Sequence, residues 1–417
     1  MNFKKIEFNE IRNYVLFGSG QFVNLLAPLL VAPYVISVCG VEQWGKIGAA
    51  TSVFTILGIF IDFGSQLIGV KEVSSNKENK KYLTNYLNFT YAFRFIALLL
   101  LVTGFLILLF TVPHVDFKLY GLGLFLLISQ FFNPIWFYIG FEDFKKINRI
   151  IIFSKVIYVA SVYIVVKQKA DYFYVIFLLG LANMIVYSFY YLKIFKEYKM
   201  SLFSISKNIL TQNVIKEFPF VVSNLSISVY TNFPILIVKF VLGDFYAGIY
   251  KIADMLLSIL RSYLVVFFNV SFPKFCGIYF SNKTASISYL KKVNVLNVLF
   301  LTFVISTLFL TSFFLSTIFD LDKKLLNSVS FCRNFLLVSL IIALNIPFYQ
   351  MLILKNKQKK IAKISFVGSL LMLVSCYFLS KNIGLEGSVI SIYIVETFIT
   401  IAMILSSIYF FKEDSQT

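Results

Sequence analysis

An all-helical membrane protein with about twelve transmembrane helices is the fold class predicted here, and three observations predict it. Hydrophobic residues make up 59% of the 417, with a mean hydropathy of +0.83, which leaves little material for a water-facing domain. The apolar residues gather into runs close to the roughly 20 helical residues that cross a hydrocarbon core. Between the runs lie short connectors that carry most of the lysine.

In chain order the runs lie near 14–38, 47–70, 87–112, 119–140, 150–166, 172–194, 219–242, 246–272, 293–318, 331–354, 362–380 and 386–411. Pro28 and Pro33 interrupt the first, Pro134 the fourth, Pro234 the seventh and Pro347 the tenth. Each proline removes a backbone donor and bends its helix. The connector near 195–218, KEYKMSLFSISKNILTQNVIKEF, mixes charged and apolar residues and reads as including a surface helix along the membrane. It separates two sets of six runs. The expected organisation is therefore a six-helix lobe over 1–194, a linker over 195–218 and a second six-helix lobe over 219–417.

The halves share a faint repeat. Gly40-Val-Glu-Gln-Trp-Gly45, followed by Ala50, lies between runs one and two, and Gly243-Asp-Phe-Tyr-Ala-Gly248, followed by Ala253, lies between runs seven and eight. Two halves of equal orientation around a central cavity suit a transporter that opens to each side in turn.

The net charge of +18 is distributed unevenly. Lys4, Lys5 and Arg12 precede run one. The even-numbered connectors hold clusters such as Lys71, Lys77, Lys80 and Lys81, or Lys355, Lys357, Lys359, Lys360 and Lys363. The odd-numbered ones hold far less, as with Lys46, Lys118 and Lys381. Positive residues resist translocation, so the lysine-rich side is expected to be cytoplasmic, with both termini on it. The expected partner of this charge is the bilayer, not nucleic acid. The stretch from Met1 to Arg12 lacks the pattern of a cleaved leader, and none is expected. Cys39, Cys276, Cys332 and Cys376 show neither metal spacing nor a disulfide framework.

Enzyme signatures are missing. No G-x-x-x-x-G-K-[ST] loop occurs, His114 stands alone, and Asp62-Phe63-Gly64 lies in a membrane run without the other parts of a kinase. Neither catalytic residues, a cofactor nor a metal site is expected. Candidate functional residues are instead the ionisable groups inside the runs, each costing roughly 2.5–3.5 kcal/mol at mid-helix. Lys251, Asp254, Ser258 and Arg261 recur at i, i+3, i+7 and i+10, on one helical face. Arg261 sits near the middle of its run, and either a structural ion pair or a substrate-exposed cavity would explain it. Lys239 is close in sequence. Arg94 and Lys155 lie about two turns from the lysine-rich side, where snorkelling is expected. These five cations are the substrate-binding candidates and outnumber Asp62, Asp254 and Glu396, the candidates for ion coupling or gating. A cationic interior suits phosphate or diphosphate, which Arg and Lys bind with charge-assisted hydrogen bonds. Tyr230 and Tyr250 could stack on sugar rings.

Several segments also resemble a known family. Asn133-Pro-Ile-Trp-Phe-Tyr-Ile-Gly-Phe-Glu142 is similar to the P-x-W-x-x-x-G-x-E segment of bacterial polysaccharide flippases, the Wzx-type O-antigen transporters of the multidrug/oligosaccharidyl-lipid/polysaccharide exporter superfamily. Pro33-Tyr34 through Gly40, Trp44-Gly45 and Asp62-Phe63-Gly64 resemble its first helix pair. Tyr230-Thr231-Asn232, Gly248-Ile-Tyr250 with Ala253-Asp254, and Phe272-Pro273-Lys274 resemble its seventh and eighth helices. The chain departs at Ser37-Val38-Cys39, where the family commonly has a basic residue, and at Met255, where it often has lysine. The resemblance implies translocation of undecaprenyl-diphosphate-linked oligosaccharide across a bacterial inner membrane, alongside a polymerase and a chain-length regulator. Two rivals are a multidrug or cation antiporter of the same superfamily, which should show excess buried acids, and a membrane polymerase or ligase, which should show a large outward loop.

Overall fold

The computed structural model describes residues 3–113, 115–201, 207–318, 323–355 and 357–416, so His114 lies outside the described residues. Among them there is helix and no strand. The helices are α1 (Phe3–Cys39), α2 (Val41–Asp62), α3 (Val70–Ser75), α4 (Lys80–Thr111), α5 (Phe117–Phe132), α6 (Ile135–Gly140), α7 (Phe144–Val165), α8 (Tyr172–Glu197), α9 (Lys207–Leu242), α10 (Asp244–Ser281), α11 (Lys283–Ile318), α12 (Lys323–Leu354), α13 (Gln358–Ile383) and α14 (Leu385–Gln416). Twelve segments of the described residues are long and apolar enough to cross a membrane, the number expected from the runs. Their outer faces carry large apolar side chains, with Phe240 81% and Phe110 74% exposed. So much exposed apolar surface would be an aggregation liability in water and is ordinary against lipid.

Two expectations about element boundaries need correction. The run at 47–70 is one helix only as far as Asp62. Phe63 and Gly64 take left-handed backbone, with φ of 40° and 81°, and a π-helical turn over Ser65–Gly69 then leads into α3. Gly64 adopts that conformation freely, whereas Phe63 does so at a cost. The connector expected to hold a separate surface helix is, from Lys207 onward, the start of α9, which continues unbroken into the seventh span. Local helical bonding is satisfied without a break there, and apolar content alone did not reveal it.

The chain divides into two compact units, Met1–Ser228 and Val229–Thr417. In the first, α5 is packed between α2 and α8. Gly123 faces the Phe54 ring, and Gly180 lies against the backbone of Phe125 and Leu126, so small residues let these helices approach closely. The hydroxyl of Tyr34 donates to the carbonyl of Val166 at 2.7 Å, fastening α1 beside α7. In the second unit, α14 packs on both α12 and α13, with Gly368 facing Ile399. Leu260, Leu264, Leu301, Ile305, Leu336, Ala343 and Ile346 knit α10, α11 and α12 into one core.

Candidate functional site

Each unit holds its own cluster of membrane-embedded charge, and the two are built differently. In the first unit the construction begins with Pro134. It has no N–H to continue α5, so the carbonyls at the end of that helix are left without their usual partners. Arg94, on α4, supplies them. Its Nη1 donates to the carbonyl oxygens of Asn133 at 2.9 Å, Phe131 at 3.4 Å and Gln130 at 3.5 Å. Its Nη2 donates to Asp62 Oδ1 at 2.7 Å. The guanidinium also lies 5.4 Å from the ring centre of Tyr91 and 5.6 Å from that of Trp136. Arg94 is fully buried. The snorkelling expected of it is therefore corrected: its length reaches inward to an acid and a helix end, where a cation also complements the dipole.

The second unit's cluster follows the spacing read from α10. Lys251 Nζ lies 3.5 Å from Asp254 Oδ2, and Arg261 Nη1 lies 3.7 Å from Asp254 Oδ1. From α14, Glu396 Oε1 stands 4.0 Å from Arg261 Nη2. Both carboxylate contacts to Arg261 are longer than the ~2.7–2.9 Å of a charge-assisted hydrogen bond. Arg261 keeps 24% of its side chain exposed, while Glu396 keeps only 6%. Two cations and two acids make this group close to neutral.

The remaining candidates are dispersed. Lys239 pairs with Asp244 at 3.1 Å across the α9–α10 turn, not with the α10 face. Tyr250 is 2% exposed and packs edge-on against Phe335 at 5.3 Å, which leaves no open ring face for stacking on a sugar. Tyr230 is half-buried and within electrostatic reach of Arg261 and Glu396. Lys155 is half-buried on α7, and among the described residues no carboxylate is within ion-pair distance of it. The excess of buried bases read from the sequence is thus largely cancelled by local partners.

A match to polysaccharide biosynthesis proteins extends over residues 11–279, more than half of the chain. The chain belongs to this family. Two relatives carry the name "Putative O-antigen transporter". The one from Escherichia coli K12 is 21% identical and aligned over 97% of this chain and 98% of its own length; the one from Shigella dysenteriae is 24% identical over 94% and 98%. Among solved structures, an inward-facing multidrug resistance MATE family transporter of the MOP superfamily superposes with a TM-score of 0.68 at 14% identity, covering 94% of this chain and 96% of that one. A MOP superfamily transporter from Pyrococcus furiosus gives 0.61 at 13% identity, covering 95% and 94%. These likenesses establish the MOP transporter fold.

In this polysaccharide biosynthesis protein the Asn133–Glu142 segment has a structural role. Asn133 Oδ1 accepts from the backbone N–H of Ile135, Trp136 is fully buried against Gly69, and Gly140 lies against Val73. Glu142, at φ 60°, accepts from Lys77 at 2.7 Å. Sequence reasoning missed Glu217, a buried acid on α9 that accepts from the Tyr86 hydroxyl at 2.9 Å. It also missed Gln350, which donates to Ser271 at 2.7 Å within the core of the second unit. Polarity inside an otherwise apolar run was the available signal for Gln350. For Glu217, placement in a charged connector concealed it. Among the described residues, no group of three His, Cys, Asp or Glu side chains is placed to hold a metal ion.

Proposed function

We propose that this protein is a flippase that moves an undecaprenyl-diphosphate-linked oligosaccharide, an O-antigen or capsule repeat unit, from the cytoplasmic to the outer leaflet of a bacterial inner membrane. The observation that carries the reading is Arg261, a membrane-embedded guanidinium that is partly exposed and touched only loosely by two carboxylates. A diphosphate can offer it the short bidentate contacts that Asp254 and Glu396 do not. The family match and the transporter names of the relatives support the same reading.

In this mechanism the diphosphate engages Arg261 with Lys251 alongside, while Asp254 and Glu396 repossess the guanidinium once the substrate leaves. That exchange keeps a buried cation compensated throughout the cycle. Lys155 is a separate candidate cation within the first unit, and Tyr230 flanks Arg261 within the second. Arg94 and Asp62 hold the first unit in shape. The division into lobes at 1–194 and 219–417, with both termini cytoplasmic, is part of the proposal and rests on lysine placement.

Gene deletion tests it directly. Surface polysaccharide should disappear and lipid-linked repeat units should accumulate facing the cytoplasm. Repeat units reaching the outer leaflet at the normal rate, in a strain without a second exporter, would remove the assigned role. For topology, a periplasm-active reporter inserted at 320–327 should be active and one fused after Gln416 silent.

A further inference from the structure

One end of the second unit brings together the start of α10, the stretch of α12 around Ser328 and Ser330, and the turn between α13 and α14. They enclose a cavity of about 400 Å³, within the roughly 300–1,000 Å³ usual for small-molecule sites. Its lining is of two kinds. Phe245 and Tyr246 contribute aromatic rings beside aliphatic side chains, and Ser328, Ser330 and Glu386 contribute two hydroxyls and a carboxylate. The two rings stand edge to face, with centroids 5.6 Å apart and planes 83° apart, so they face in different directions. Tyr246 is 42% exposed. Glu386 is exposed and within electrostatic reach of Tyr393, and among the described residues no lysine or arginine pairs with it.

A pyranose has an apolar C–H face and a rim of hydroxyls. The face packs on an aromatic ring, and the rim donates to carboxylates and exchanges hydrogen bonds with serine hydroxyls. We infer that this cavity is a sugar-binding site, taking one pyranose unit by stacking on Tyr246 and hydrogen bonding to Glu386 and Ser330. An organic cation is also attracted to rings beside a carboxylate. It makes no hydrogen bond to the Ser330 hydroxyl, which the hydroxyl rim of a sugar does. All three segments belong to the lysine-poor connectors, so the site's assignment to the outward side rests on the proposed function. There it would hold the glycan as it leaves.

The full-length protein in neutral-phospholipid nanodiscs is the material for the test. Saturation-transfer NMR would be recorded with the methyl glycosides of glucose, galactose, mannose, rhamnose and N-acetylglucosamine, and separately with tetramethylammonium. At least one glycoside should receive saturation, and its signal should fall about five-fold in Tyr246→Ala and in Glu386→Gln. Tyr246→Phe keeps the ring and should keep most of the signal, which separates lost stacking from misfolding. Phe303→Ala, on the lipid-facing surface, should leave it unchanged. The inference is overturned if no glycoside responds, if Tyr246→Ala and Glu386→Gln match the unsubstituted protein, or if only tetramethylammonium responds through these residues. Deletion separates this result from the transport reading. A persistent glycoside signal with surface polysaccharide surviving deletion would sink transport and keep the site. Polysaccharide lost on deletion, with no glycoside bound, would do the reverse.

Discussion

Arg94 and Arg261 are both arginines in membrane-embedded helices, and both face carboxylates, yet their surroundings differ in every respect that bears on function. Arg94 has a 2.7 Å bond to Asp62, three carbonyl oxygens and two aromatic neighbours, and none of it is exposed. Arg261 has carboxylates at 3.7 and 4.0 Å and a quarter of its side chain open. A guanidinium with its donors committed to the protein's own backbone cannot exchange partners without dismantling a helix end. One held by loose ionic contacts can. The comparison teaches that residue type and membrane depth do not assign function; the neighbours that compete for each donor do.

Removing Arg94 should give the largest effect. Arg94→Ala leaves Asp62 uncompensated in a buried site and the end of α5 without its donor, a loss of roughly 3–5 kcal/mol. Membrane abundance and the thermal unfolding midpoint in detergent should both fall sharply. Reversing the pair, with Arg94→Asp and Asp62→Arg together, should not restore them, because the carbonyls would still lack a donor. A rescued double variant would show that the carbonyl contacts are incidental.

Arg261→Ala should behave in the opposite sense, with near-normal abundance and abolished surface polysaccharide. Arg261→Lys should retain part of the transport, since lysine binds phosphate as a point charge without the bidentate fork. If Arg261→Ala is as poorly folded as Arg94→Ala, the contrast between the two arginines collapses.

A smaller change is expected from Glu396→Gln. The amide keeps much of the shape and removes one of the charges competing for Arg261, so the protein should stay folded. A labelled soluble diphosphate should then bind somewhat more tightly, by several-fold at most. Weaker binding would mean that Glu396 positions Arg261 instead of competing for it.

Lys239→Ala should matter least. The Lys239–Asp244 pair is about a quarter exposed at each end, and such pairs contribute about 0.2–1 kcal/mol. A midpoint shift as large as that of Arg94→Ala would contradict the ranking.

The contrast also explains which parts of the molecule were legible in the sequence. Run length and lysine alternation depend on bilayer thickness, a property of the solvent, so twelve spans could be counted without knowing how they pack. The face carrying Lys251, Asp254 and Arg261 was readable because all three lie on one helix, where spacing fixes geometry. Arg94 was misread because its partners arise from two other places. Asp62 closes α2, and the carbonyls of Gln130, Phe131 and Asn133 are freed by a proline farther along the chain. The break after Asp62 was hidden for a related reason. Phe63 and Gly64 are apolar enough to extend the run, and hydropathy does not register a reversal of φ. Tyr250 illustrates the remaining difficulty, since whether a ring is open or covered depends on Phe335, a residue far away in sequence.

The Arg94–Asp62 bond has a consequence for how the chain enters the membrane. Its two members are separated by 32 residues and lie on successive spans. Each is costly in hydrocarbon alone, by up to the roughly 2.5–3.5 kcal/mol of a charge at mid-helix. Span two therefore emerges during synthesis with an acid whose partner has not yet been made. Its insertion is most favourable when it waits at the translocon for span three and the two partition into lipid as a hairpin. The cation then still lacks its carbonyl ligands until span four arrives and breaks at Pro134. The first unit is thus assembled in an order written into its charges, and nothing in α10, where Lys251, Asp254 and Arg261 arrive on a single helix, imposes the same wait.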